Sequence, residues 1–292
     1  MNIFKALFGS SELTPEEEKK NVEQRRFELM KYDGVKAMKT GQFDYAVRCF
    51  NEALGITDDL EVRDYLSRAL IQTGELQLAL EQLQLLLRSE SQNVAILKQM
   101  AHVAFLMEDY GQMAGYLDQA LALTPDDAHL CFLYARACLG KGDMVGAIAR
   151  LTQCLVLDEM FGDARLLRGQ TLLMMGDLQG AGTDVEWLLE HTEGQEDVLL
   201  LAARLAKAKG QVDEAIARYG EVIEANPFHV EAYSERGKLR YEQGDRSGAE
   251  EDMKKVLEFN PQQMADVSGS YSAEGIEQKV KRAYSAINPL GL

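Results

Sequence analysis

The sequence predicts an all-α solenoid, a stack of antiparallel helix pairs, and three periodic residues predict it. Alanine falls at positions 46, 79, 147, 181, 215 and 249, in steps of 33, 68 and then three of 34. Met113 stands where the beat would place one more alanine. Glycine keeps the same beat five residues earlier, at Gly41, Gly74, Gly142, Gly176, Gly210 and Gly244. Proline joins at Pro125, Pro227 and Pro261, in steps of 102 and 34. A fixed period of this length is the sequence mark of repeats that cannot each bury an apolar face alone and therefore stack into one continuous core.

Each periodic residue has a physical role. The glycine follows an apolar run such as Leu133 to Leu139 and ends a helix, where a left-handed cap carries no Cβ penalty only for glycine. The alanine sits on the second helix of each pair, where a methyl group lets two helices approach closely and a larger side chain would force them apart. The proline stops that second helix and presets the bend into the next unit.

These residues together resemble the tetratricopeptide repeat, a 34-residue pair of antiparallel helices, and the resemblance implies a right-handed superhelix. Aligned on the glycines, units start at Phe27, Leu60, Val94, Ala128, Gly162, Glu196 and Val230. The fourth position, large and apolar in the family, holds Met30, Leu97, Cys131, Leu199 and Tyr233, with Arg63 and Arg165 departing from it. The eighth, small in the family, holds Gly34, Ser67, Ala101, Ala135, Gly169, Ala203 and Gly237. The twenty-fourth holds Phe50, Leu83, Leu117, Leu151, Val185, Tyr219 and Met253. The third unit is the weakest, with Glu108 and Met113 in place of glycine and alanine, yet Tyr110, Ala120 and Pro125 fit. The resemblance covers residues 27–261 in seven units.

Two segments flank the array. Residues 1–26 form an N-terminal tail and a charged helical extension. In it Thr14-Pro15-Glu16-Glu17 reads as a capping box with proline in the first turn, opening a helix that runs to about Lys39. Residues 262–292 comprise a polar linker, Gln262 to Tyr271, and a helix on which Ile276, Val280, Ala283, Tyr284 and Ile287 recur at helical spacing, ended by Pro289. That helix is expected to cap the last apolar face of the stack.

Composition narrows the function classes. With 46% apolar residues and five prolines in 292, the chain suits a helical protein, and the unbroken period overrides the two globular domains its length alone would suggest. No stretch approaches the ~18 apolar residues of a membrane span. The opening MNIFKALFGS turns polar too soon for a signal peptide, and no cysteine lies near the N-terminus to carry a lipid. A cytoplasmic protein is expected. The net charge of −16 and the lack of a basic stripe argue against nucleic acid. Cys131, Cys138 and Cys154 fall at packing positions of one unit and Cys49 is isolated. None has the paired spacing of a zinc site, and the four histidines form no ligand motif. No phosphate-cradling glycine loop or catalytic order of Ser, His and Asp is present. The expectation is a non-enzyme without metal or cofactor.

Function must then lie on surfaces. In the tetratricopeptide family the second, fifth, ninth and twelfth positions of each first helix line the concave side. Mapped here, the resemblance implies a peptide-binding row of His102, Phe105, Phe132, Arg136, Leu139, Leu166, Gln170, Leu173, Leu200 and Arg204. Earlier units place Lys31, Asp64, Arg68 and Lys98 there, and the last offers Ser234, Lys238 and Tyr241. An extended or helical peptide with apolar side chains fits such a floor, with Arg136 and Arg204 taking its acidic groups or C-terminus. The competing reading is that the leucines pack between adjacent helices and the arginines are merely solvated. Burying roughly 500 Å² of apolar surface at ~25 cal/mol/Å² gives about 12 kcal/mol gross, against an association cost on the order of 4–15 kcal/mol, so micromolar affinity is expected. Members that clamp chaperone tails use Lys, Asn, Asn, Lys and Arg at set positions. From the first unit this chain has Lys31, Val35, Tyr65, Ala95 and Gln99, which fits once in five.

Two further features bear on partners. Ile3, Phe4, Leu7 and Phe8 make a small amphipathic stripe, read as a frayed tail, a weak membrane-surface anchor or a docking segment. Leu85 and Trp187 are apolar at the twenty-sixth position, which is polar in most other units, and mark a second interface or a ring lying over neighbouring aliphatic stems. A scaffold that binds a protein or peptide is the favoured class. A homo-oligomeric structural protein, and a ligand-sensing regulatory or auxiliary subunit, are the alternatives.

Overall fold

The structure is a computed structural model and describes residues 14–260. The described residues form fourteen α-helices and no strand. The chain divides into two compact units, Met1–Asp143 and Met144–Leu292. The first holds α1 (Pro15–Lys39), α2 (Phe43–Leu54), α3 (Leu60–Thr73), α4 (Leu76–Ser89), α5 (Val94–Leu106), α6 (Tyr110–Leu123) and α7 (Ala128–Gly140). The second holds α8 (Met144–Leu157), α9 (Gly162–Met174), α10 (Leu178–His191), α11 (Glu196–Ala208), α12 (Val212–Ala225), α13 (Val230–Glu242) and α14 (Arg246–Phe259). Each unit holds three consecutive helix pairs and one further helix, α7 in the first and α8 in the second, the α-solenoid architecture that the period predicts. The first-helix starts at Leu60, Val94, Ala128, Gly162, Glu196 and Val230 coincide with the expected repeat starts. The apolar N-terminal tail and the C-terminal capping helix lie outside the described residues.

The helix boundaries follow from local chemistry. Thr14 caps α1 in a reciprocal capping box with Glu17, and Pro15 occupies the first turn. Asp59, Asn93, Asp127 and Asp177 accept backbone N–H groups at the starts of α3, α5, α7 and α10. The turns inside the pairs are left-handed: Gly41, Gly74, Gly142, Gly176, Gly210 and Gly244 have φ between 72° and 91°. In the third pair, which lacks the glycine, Glu108 is forced into the same conformation at φ 57°, with a Cβ that this region disfavours. The turn geometry is thus kept where the turn residue is not.

The periodic alanines, Ala46 and Ala79 in the first unit and Ala147, Ala181, Ala215 and Ala249 in the second, are fully buried. Met113 is buried in their place on α6. Close approach also explains the small eighth position: a methyl group on Gly34 would lie 2.5 Å from the Phe50 ring. In the first unit one core runs from Phe27 and Phe50 through Leu66, Leu83 and Met100, and another gathers Leu97, Leu117 and Leu130. In the second unit Val185, Leu188 and Leu201 centre one cluster, and Tyr219, Val222 and Leu239 another. All four cysteines are buried, as small packing residues are.

The two arginines at the apolar fourth position meet polar neighbours, fully for Arg63 and in part for Arg165, whose buried Nε has no hydrogen-bond partner. Arg63 donates from Nε to Asp58 (2.7 Å) and from Nη1 to Gln82 (2.8 Å). Arg165 is buried, donates from Nη2 to the Glu159 carbonyl (3.1 Å) and lies 3.6 Å from Asp184. Asp184 is itself fully buried and accepts a bidentate pair from Arg168 (2.9 and 2.7 Å). The arrangement recurs where Arg236 holds buried Asp252 (3.0 and 2.6 Å), with Arg240 adding a bond at 3.1 Å. Both pairs link the seventh position of a first helix to the twenty-third position on its second helix, sixteen residues on. Buried charges persist only when paired and hydrogen-bonded, and the planar guanidinium fork meets that condition.

Candidate peptide-binding surface

The candidate row is carried by first helices, and the structure places its residues in two sets. In the first unit His102 and Phe105 lie on α5, and Phe132, Arg136 and Leu139 on α7. His102 is exposed, whereas the other four are half-buried. The Phe105 ring packs edge-on to Tyr110 at 6.3 Å, and the Arg136 guanidinium lies over Phe105 at 4.4 Å from its centre. Phe132 stands 6.3 Å from the His129 ring. An aromatic floor under a cation is therefore assembled from two adjacent first helices, and the ring quadrupole holds the guanidinium in place.

In the second unit Leu166, Gln170 and Leu173 lie half-buried on α9, and Leu166 and Leu173 pack against the core cluster around Leu201. Leu200 on α11 is buried within the next cluster, so its side chain serves the core. Arg204 donates twice to Glu231 on α13 (3.1 and 2.6 Å).

The cations of the row are otherwise engaged. Lys31 on α1 meets Glu61 on α3 at 2.6 Å and Asp59 at 3.6 Å. The hydrogen bond to Glu61 raises its pKa above the ordinary lysine value. Arg68 pairs with Asp64 at 2.7 Å. Lys98 on α5 meets Asp127, the N-cap of α7, at 2.8 Å. Burial acts to raise the Asp127 carboxyl, but Lys98 and the Leu130 amide outweigh it and hold it below its usual value. Lys207 on α11 and Lys238 on α13 both bind Glu235. Burial pushes that carboxyl up, and the two ammonium groups more than reverse the push. Most of these pairs tie one first helix to the next. Arg136 differs: among the described residues it has no acidic partner, only the Phe105 ring.

Sequence reasoning placed Asp64 in the row but missed the other acids that take up these cations. Lys207 and Glu231 hold the twelfth and second positions of their units, so the positional rule could have flagged both. A Lys or Arg followed by an acid about 27–30 residues later is the corresponding signal. At the second candidate interface Leu85 is half-buried on α4. Trp187 is half-buried on α10, stacked on His191 (4.1 Å, 5° between planes), with the Arg165 guanidinium 4.1 Å from the ring centre. The described residues contain no group of three or more potential metal ligands, and no described helix is long and apolar enough to cross a membrane.

Comparison with known proteins agrees with this architecture. A tetratricopeptide repeat family model matches residues 200–263. Tetratricopeptide repeat protein 36 of Bos taurus is 33% identical over 91 residues, which is 28% of this chain and about half (48%) of that relative's length. A tetratricopeptide repeat protein from Parabacteroides merdae superposes with a TM-score of 0.64 at 17% identity, covering 88% of this chain and 98% of its own. YrrB, described as a TPR protein with an unusual peptide-binding site, gives a TM-score of 0.54 at 16% identity over 68% of this chain and 97% of its own. The family model thus places tetratricopeptide repeats in residues 200–263, and the described helix pairs with their left-handed turns share the tetratricopeptide fold.

Proposed function

We propose that this protein is an interaction scaffold that binds a peptide segment on its first-helix surface, and that Arg136 receives an acidic group of that segment. The coarse part, a protein-binding scaffold, is what a tetratricopeptide fold suggests. A peptide-binding site in a protein of like fold, YrrB, is consistent with it. The finer part rests on one observation: Arg136 is held over Phe105 without an acidic partner among the described residues, while Arg204 is already neutralised by Glu231. A carboxylate arriving at Arg136 gains a charge-assisted bond without breaking an internal pair, and Phe105, Phe132 and Leu139 offer apolar contact beside it. At Arg204 the same ligand would have to displace Glu231.

Selection of random 12-residue peptides on the immobilised protein tests this reading. Recovered sequences should combine an acidic residue with large apolar ones. Arg136→Glu should abolish their enrichment, and Arg204→Glu should leave it nearly intact. Enrichment of basic peptides, or equal loss from both substitutions, would refute the assignment to Arg136.

A further inference from the structure

The outer face of α1 carries a line of exposed side chains that make no hydrogen bond, ion pair or ring contact among the described residues. Glu18, Val22, Arg25, Leu29, Tyr32 and Lys36 are all exposed and follow one another at steps of four and three residues, which sets them along one side of a helix. Phe27 and Gly34, on the opposite side, are buried against the repeat core. The apolar members of the line are strongly exposed: Val22 64%, Leu29 54% and Tyr32 65%. Val22, then Leu29 beside Tyr32, with Arg25 between them, put large apolar groups on a face that water solvates poorly.

The line is also complementary to itself at its charged ends and at its Val22 and Tyr32 positions. Laid antiparallel on a copy of itself about its midpoint, it sets Glu18 against Lys36, Val22 against Tyr32 and Arg25 against Leu29. The first turn of α1 is acidic (Glu16, Glu17, Glu18) and its last turn basic (Lys36, Lys39), so the two ends attract in that arrangement and the helix dipoles oppose each other favourably. A parallel arrangement would set Glu18 against Glu18 and Lys36 against Lys36. We infer that α1 is a homodimerisation surface on which a second copy of this chain docks, antiparallel, about a two-fold axis. A 25-residue helix is ~37 Å long, and a pair of this kind buries on the order of 1,000 Å², the lower end of specific interfaces, so the dimer is reversible and micromolar.

Sedimentation equilibrium of the full chain between about 1 and 200 μM tests the inference. The wild type should pass from monomer to dimer. Glu18→Lys and Lys36→Glu, each alone, oppose like charges at both ends of the pair, and each should weaken the dimer at least tenfold. Mixed in equal amounts, the two variants restore both attractive contacts, and the dimer should return to near wild-type strength. That rescue also shows that the variants are folded. Val22→Glu with Leu29→Glu should leave the protein monomeric throughout. A monomeric wild type, no rescue on mixing, or a dimer that survives the Val22/Leu29 pair would each overturn the proposal. So would a dimer that is lost, or appears for the first time, when residues 2–13 are deleted, since the tail would then be the segment bound at this face.

Discussion

Glu108 shows most clearly how a repeat keeps its geometry while losing its signature residue. Six intrapair turns use glycine at φ 72–91°, and the seventh places Glu108 at φ 57°. An L-residue in this region is disfavoured by about 1–2 kcal/mol, so Glu108→Gly should stabilise the α5–α6 pair. The gain should be about 1 kcal/mol in denaturant unfolding, and an unchanged or lowered midpoint would show that the Glu108 side chain earns its place by contacts. The same position illustrates what was legible in sequence. The glycine and alanine beats located the left-handed turn inside each described pair and one buried small residue on each second helix, and marked the places where the third pair has Glu108 and Met113 instead, because backbone handedness and close helix approach each admit few residue types. The charged groups were far less legible. Arg165 read as a departure from an apolar position, and only the fold brings Asp184 and the Glu159 carbonyl to it. Arg136 and Arg204 looked alike in sequence, and the acid that separates them lies 27 residues beyond Arg204.

Between elements, two buried arginine–aspartate forks couple a first helix to its second. Arg168 ties α9 to α10 through Asp184, and Arg236 ties α13 to α14 through Asp252. Removing one partner of a buried pair leaves an uncompensated charge and costs about 3 kcal/mol. Arg168→Met leaves Asp184 only the Arg165 guanidinium at 3.6 Å, so amide-exchange protection in α9 and α10 should fall by roughly ten- to a hundredfold, and adding Asp184→Asn should recover part of it. If the double variant is no better than the single one, the fork is not what holds the pair. The Glu235 junction between α11 and α13 answers to pH. Its carboxyl lies below the ordinary value of 4.5 in the folded chain despite burial, through Lys207 and Lys238. Its stabilisation is therefore present above about pH 4.5 and is lost as pH falls through the lower folded value. Glu235→Gln should flatten the acid limb of α11–α13 unfolding, read by amide exchange between pH 3 and 6. An unchanged limb would assign the acid sensitivity to other carboxylates.

At the scale of the molecule, two compact units each present first-helix surfaces whose charges are largely matched from within. Most described cations of the row are held by acids on the same or the next first helix, which leaves Arg136 as the cation of that row without an acidic partner among the described residues. On the proposed reading, a ligand of such a surface is anchored by apolar groups and placed by a single carboxylate. The test that bears most directly on this is a double-mutant cycle between Arg136→Gln and replacement of the acidic residue by Gln in a peptide selected on the protein, with affinities measured by fluorescence anisotropy. The account predicts a coupling of about 1–3 kcal/mol, with Arg204→Gln giving essentially none. Additive losses at Arg136, or a larger coupling at Arg204, would contradict it.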